Sequence, residues 1–194
     1  RYILNVYNDE GVELKQPKLK IMGIEAVKSS TPAPCRVKIK EALSVIMNKD
    51  ESSLIQFIDD FRNDFKKLSP ESIAYPRSCN NLKKYSSSKD IYQKGTPMHV
   101  RGALIYNNLL GKHKLKKYES INDGDKIKFV QLKEPNPLRE NIISFVGTLP
   151  KEFDLHKYID YDTQFEKSFL DPLRFIVNAI DWSFERQSTL DDFF

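Results

Sequence analysis

The chain is poor in the residues that most often carry chemistry. It has two cysteines, Cys35 and Cys79, 44 positions apart, and three scattered histidines, His99, His113 and His156. No spacing among them suits a zinc site, and two cysteines make no disulfide framework. Two free thiols without a secretion signal lead us to expect a reducing cytoplasm. There are only seven glycines, and none builds a phosphate-cradling loop. No apolar run approaches the roughly 20 residues of a membrane helix, so no membrane partner is expected. The first residues, Arg1-Tyr2-Ile3-Leu4, include no initiator Met and start inside a strand-like alternation. A fragment or a processed chain is therefore expected.

What the sequence does have is charge, unevenly placed. The overall net of +4 divides into +4 over residues 1–40, −4 over 41–61, +10 over 62–139 and −6 over 140–194. A strongly basic stretch between acidic neighbours suggests a surface for a polyanion, the alternative being a solvated lysine-rich face. At 194 residues with 40% hydrophobic and 30% charged side chains, the chain can build one medium domain or two small ones.

Periodicity predicts an α+β, mainly helical fold. Residues 2–14 alternate as a hairpin around Asp9-Glu10-Gly11, and Gln16-Pro17 is expected to end its second strand. Thr31-Pro32 looks like a helix start, with Val37, Ala42, Leu43, Ile46 and Met47 as its apolar face. Asp50 can cap the next helix, whose stripe is Leu54, Phe57, Ile58, Phe61, Phe65 and Leu68. The two helices should pack as a hairpin. Residues 69–125 read as irregular; Val100 to Tyr106 is an apolar run whose period does not separate strand from buried helix. Asn122-Asp123-Gly124-Asp125 marks a turn before a strand through Ile127, Phe129 and Leu132, which Pro135-Asn136-Pro137 ends, and 141–146 is another apolar segment. Asp154 is a candidate cap for a first C-terminal helix. Asp171-Pro172 opens a second after a short break, with Leu173, Ile176, Val177 and Ile180 on its apolar face.

No set of residues reads as a self-contained active site. Asp160 and Asp162 superficially resemble the paired aspartates that hold two magnesium ions, but their context is helical, without the tight strand turn that would converge them. Asp59-Asp60 and Asp191-Asp192 diverge. Ser78, Cys79 and His99 form no triad. Binding signals are better. In residues 75–108, Arg77, Lys83, Lys84, Lys89, Lys94 and Arg101 are interleaved with Ser78, Asn80, Asn81, Tyr85, Tyr92, His99 and Asn107. Such a mixture offers charge-assisted and neutral donors to phosphate oxygens without reading sequence. The last eight residues, Gln187-Ser188-Thr189-Leu190-Asp191-Asp192-Phe193-Phe194, fit Gln-x-x-aliphatic-x-x-aromatic-aromatic, the sliding-clamp peptide of replication proteins. One helical turn would gather Leu190, Phe193 and Phe194 into an apolar plug, with Gln187 reaching back to the clamp.

These segments together resemble the C-terminal part of the family B replicative DNA polymerases of large tailed bacteriophages. Lys18 to Glu25 followed by Lys28-Ser29-Ser30-Thr31-Pro32 resembles the passage from palm to thumb. Ser78-Cys79-Asn80-Asn81-Leu82-Lys83-Lys84-Tyr85 and Pro97-Met98-His99-Val100-Arg101-Gly102 resemble thumb segments that contact primer-strand phosphates. Arg1-Tyr2 is similar to the end of a Lys-Lys-Arg-Tyr run that holds the primer near its 3′ end, and Phe169 to Leu173 also matches in place. The resemblance implies a palm-edge hairpin at 1–16, a DNA-binding thumb at 17–184 and a clamp-binding tail at 185–194. It implies DNA contacts from Arg1, Tyr2, Lys20, Lys28, Ser78, Asn80, Lys84, Tyr85, Lys94, His99 and Arg101. The expected partners are primer–template DNA, the sliding clamp and the remaining palm, fingers and exonuclease. The family's catalytic aspartates lie in palm segments that this chain lacks, so no catalytic residue and no cofactor is expected here, magnesium belonging to the intact polymerase. The alternatives are a non-catalytic, clamp-associated DNA-binding protein and a nuclease, the latter needing a convergent acidic cluster that the sequence does not offer.

Overall fold

The computed structural model describes residues 2–24, 28–87 and 89–185. It is α+β and mainly helical, with small antiparallel sheets, as the periodicity predicted. The chain divides into two compact units, one from residues 1–64 and 167–194, the other from 65–166.

The first unit opens with a two-stranded ribbon, β1 (Tyr2–Asp9) and β2 (Val12–Met22). Its turn places Glu10 and Gly11 at positive φ, 55° and 89°, the combination that matches the twist of a tight hairpin. The expected break at Gln16-Pro17 does not occur, and β2 continues to Met22. The register explains why proline is tolerated: Asn8 faces Glu13 and Val6 faces Lys18, so residues 14–17 bulge out of the ladder. Pro17 therefore owes the sheet no N–H.

Helix α1 (Ala33–Asn48) follows. Thr31 is buried but does not cap it; Pro32 occupies the N-cap and no side chain caps there. The buried face is Cys35, Ile39, Ala42 and Leu43, while Val37 and Met47, expected inside, are exposed. A stripe one turn earlier wins because it satisfies i, i+4, i+7, i+8 without interruption. Asp50 accepts the Ser53 N–H at 2.8 Å and starts α2 (Glu51–Phe65), as anticipated. Lys38 of α1 places its ammonium 5.3 Å from the Phe57 ring centre and 5.9 Å from that of Phe61, so the two helices lie side by side. Phe61 also meets Phe169 edge-on at 4.8 Å. Phe169 belongs to a π-helical turn (Glu166–Leu170) that leads straight into α7 (Asp171–Ala179) without the expected break. Leu173 and Val177 of α7 are buried, whereas Ile180 is exposed.

The second unit corrects the reading of 69–125 as irregular. It contains α3 (Pro70–Ile73), β3 (Tyr75–Ser78), α4 (Leu82–Tyr85) and α5 (Met98–Lys112). The ambiguous run 100–106 is buried helix: Val100, Gly102, Ala103, Ile105 and Tyr106 all face inward. Helix α5 lies on a sheet of order β3-β4-β5, with β4 (Lys126–Gln131) central and β5 (Ile142–Phe145) wholly buried. The Asn122–Asp125 turn holds, with Gly124 at φ 94°. Asn136 is buried in the β4–β5 connection and donates to the carbonyls of Lys133 and Glu140 at 2.8 and 2.7 Å. Asp154 is no N-cap: it sits at φ 53°, ending a short 3-10 turn. The cap of α6 (Tyr161–Phe165) is Asp160, which accepts the Thr163 N–H at 3.0 Å and hydroxyl at 2.8 Å. Gln164, fully buried, bridges the Gln131 N–H and the Ile73 carbonyl, so its amide is satisfied at both ends.

Candidate nucleic-acid interface

Within the second unit, the basic residues lie on the stretch that runs from β3 through α4 to α5. Strand β3 is an edge strand, and it ends at exposed Ser78. Cys79 is then pinned from both sides: its N–H donates to the Asp125 carbonyl at 2.8 Å and its carbonyl accepts the Gly124 N–H at 2.7 Å. Asn80 and Asn81 are exposed. Asn81 takes the left-handed conformation, φ 64°, that asparagine tolerates better than most residues. Leu82 donates its N–H to the Asp123 carboxylate at 2.7 Å. This brings the short α4 into register and turns Lys83 and Lys84 outward. Lys84 lies over the Tyr85 ring at 5.4 Å. Beyond α4, Ser86 and Tyr92 form a single antiparallel bridge, and Gln93 donates to the Tyr85 carbonyl at 2.9 Å. Lys89 and Lys94 are exposed around this closure. Among the described residues, no ion pair engages Lys83, Lys84, Lys89 or Lys94.

His99 stands in the first turn of α5, its ring 6.3 Å from Phe129, which itself stacks on its cross-strand partner Tyr75 at 5.1 Å. Burial, and secondarily the Arg77 guanidinium, pushes His99 below its usual pKa, so the neutral ring is favoured. Arg101 is two residues further along and differs from the lysines. It donates to the Asn141 side-chain oxygen at 2.5 Å, lies 3.7 Å from a Glu140 carboxylate oxygen, and covers the Tyr92 ring at 5.7 Å. Sequence reasoning named Arg101 but not Glu140 or Asn141. Those two lie on a loop 39 and 40 positions downstream, and no local pattern ties them to it.

The remaining expected contacts lie elsewhere. Tyr2 and Lys20 are exposed on the ribbon and Lys28 is exposed just before α1, all in the first unit. Arg1 and the tail residues Gln187, Leu190, Phe193 and Phe194 lie outside the described residues.

The acids suspected of metal binding are otherwise engaged. Asp160 spends both oxygens on Thr163, and Asp162 pairs with Lys66 at 3.0 Å. Among the described residues, no group of three His, Cys, Asp or Glu is placed to hold an ion. These residues do not fit a magnesium pair. The thiols of Cys35 and Cys79 are buried, and burial pushes each up to about 11, which leaves them neutral near pH 7. No described helix is long and apolar enough to cross a membrane.

No family model matches the sequence. Two curated proteins do, both over the whole chain: the DNA-directed DNA polymerase of Enterobacteria phage T4, 33% identical over 198 residues, and that of Escherichia phage RB69, 34% identical over 199. The chain spans 22% of the length of each. From end to end, this chain is thus similar to one segment, about a fifth, of phage DNA-directed DNA polymerases.

Proposed function

We propose that the chain is the duplex-gripping, C-terminal part of a DNA-directed DNA polymerase. Residues 17–184 would form the thumb, residues 1–16 the palm edge, and residues 185–194 a sliding-clamp tether. The observation that carries this reading is the full-length likeness to two phage polymerases. It is supported by a set of unpaired lysines around the α4–α5 region, where charge on the sequence is most positive.

The grip works through charge and geometry. Lys84, Lys94 and their neighbours neutralise phosphates and release counterions. Ser78, Asn80, Tyr85 and backbone N–H groups fix the register of the duplex on the protein. Neither set reads bases, so the hold is indifferent to sequence, as a polymerase that must copy anything requires. Tyr2, Lys20 and Lys28 of the first unit, with Arg1, would add contacts nearer the primer end. Chemistry belongs to aspartates and magnesium elsewhere in the intact enzyme, and the acids of this chain take no part in it. The chain contributes position and residence time.

Binding of primer–template duplex by the full-length protein, measured against salt, tests the grip. With about four to six phosphates neutralised, the slope of log K on log salt should be roughly −4 to −5. Lys84→Ala should flatten it by about one. Salt-independent binding, or strong preference for one sequence, would overturn the reading. Activity on primed template that survives purification and is lost with Asp160→Ala would also overturn it, by placing chemistry in this chain.

A further inference from the structure

Arg101 occupies a position that the sequence suggests for a phosphate ligand, yet its Nη2 is spent on Asn141 and its Nε is buried beside Glu140. Three elements meet at its guanidinium. The β4–β5 connection, stapled by buried Asn136, supplies Glu140 and Asn141. The segment before α5 supplies Tyr92, whose ring lies under the guanidinium and whose hydroxyl donates to the other oxygen of Glu140 at 2.5 Å. Arg101 itself rides on the first turns of α5. The side chains of Arg101 and Glu140 are only 23% and 17% exposed, unlike the surface ion pairs elsewhere in the chain, so this pair is shielded from solvent and salt. We propose that Arg101, Glu140 and Tyr92 form a latch that holds residues 89–97 in the shape that presents Lys89 and Lys94. Arg101 then serves DNA binding as a positioning residue acting through Tyr92, and makes no phosphate contact of its own.

The geometry favours this over a direct contact. Residues 89–97 form no helix and no named strand; besides the Ser86–Tyr92 bridge, their described ties are short-range turns and the Gln93 bonds to Tyr85 and Ser86. Tyr92 is the point at which this segment is fastened to a distant part of the chain, and Glu140 is its partner there. Burial, reinforced by the Glu140 carboxylate, raises the Tyr92 phenol, which keeps it protonated as a donor. A guanidinium can stack on the ring, bond an amide and keep its charge beside a carboxylate at once, because it is planar and forked; an ammonium has neither property.

That difference supplies the test, which rests on the proposed grip but can fail separately from it. Arg101→Gln, Arg101→Lys, Tyr92→Phe and Lys89→Gln are made in the full-length protein. Each is assayed for duplex affinity across salt and for tryptic cleavage after Lys89 and Lys94, mapped by mass. The latch predicts that Arg101→Gln weakens binding about tenfold, in line with the loss of a shielded charge-assisted bond, with an unchanged salt slope and faster cleavage. Arg101→Lys should not rescue it, and Tyr92→Phe, which changes no charge, should move both readouts in the same direction. Lys89→Gln should do the opposite, lowering the slope without speeding cleavage. If Arg101→Gln flattens the slope by about one and Arg101→Lys restores it, with Tyr92→Phe silent, Arg101 is a phosphate ligand and the latch is wrong. If the wild-type protein does not bind duplex, the grip reading fails, and the cleavage rates alone decide whether the latch exists.

Discussion

Gly102 of α5 lies directly against Ser144 of β5: a Cβ built on Gly102 would come within 2.5 Å of the Ser144 hydroxyl and 2.7 Å of its backbone nitrogen. The close approach lets Ser144 donate its hydroxyl to the His99 carbonyl at 2.8 Å, tying the first turn of α5 to the sheet. Gly102 thus sets the depth at which the basic turn is seated. Gly102→Ala should destabilise the protein by about 1–3 kcal/mol or more, since the obstacle includes backbone that cannot step aside. Adding Ser144→Ala should recover only part of the loss, because the nitrogen remains in the way. Denaturant unfolding of the two variants checks both statements; a neutral Gly102→Ala would show that helix and sheet can separate freely here.

His99 should titrate below its usual value of 6.5, because burial disfavours its charged form. The sign for stability follows. Between the lowered folded pKa and the unfolded value, the unfolded chain binds more protons, so stability rises with pH through that window and is complete above it. His99→Gln should flatten stability in the window just below pH 6.5. Duplex phosphates brought close to the ring would favour the charged form, so in the complex the midpoint should move upward. Imidazole NMR shifts with and without duplex measure this. A midpoint that DNA leaves in place would remove His99 from the interface.

Strong periodicity was legible in advance and isolated helical turns were not. Helix α2 declares itself through Leu54, Ile58, Phe61 and Phe65, and Asp50 caps it as its position implies. The failures share a cause, tertiary packing overriding a local signal. Pro17 reads as a strand end, but a bulge absorbs it. Thr31-Pro32 reads as a cap and first turn, yet Thr31 is buried and caps nothing. Val37 fits an apolar stripe and is exposed because Cys35 and Ile39 make the better one. Helix α5 was undecidable because almost every side chain from Val100 to Leu110 has an apolar neighbour in sequence, so no period stands out. At the interface, residue types were readable and partnerships were not: Lys84 and Arg101 look alike on the sequence. Only Glu140 and Asn141, brought in by the β4–β5 connection, set them apart.

Asp160 offers a sharper check on chemistry. Its carboxylate takes both the N–H and the hydroxyl of Thr163. Asp160→Ala should therefore cost about 1 kcal/mol of stability, the ordinary price of an N-cap, while Asp160→Asn should cost less. If the chain is part of a DNA polymerase as proposed, neither variant should change the magnesium dependence of nucleotide incorporation by the intact enzyme. A shifted magnesium requirement for Asp160→Asn, at unchanged thermal stability, would make this residue a metal ligand after all.

The tail prediction rests on sequence, since residues 187–194 lie outside the described structure. Docking Leu190, Phe193 and Phe194 in an apolar pocket of a clamp offers about 2–3 kcal/mol gross for each side chain. Ordering the segment and losing its free motion offset much of that. Binding of the isolated peptide should therefore be weak, on the order of micromolar. On the proposed reading a weak link suffices for a tether, because a clamp encircling the duplex would be held near the polymerase at high effective concentration. Phe193→Ala or Phe194→Ala should each weaken clamp binding by about 2 kcal/mol as buried anchors, and Ser188→Ala by almost nothing. Removing 187–194 from the full-length protein should abolish clamp-stimulated processivity and leave single-nucleotide incorporation nearly unchanged. Calorimetric titration of clamp with and without the tail decides it: equal affinities would mean that the clamp is held by another surface or not at all.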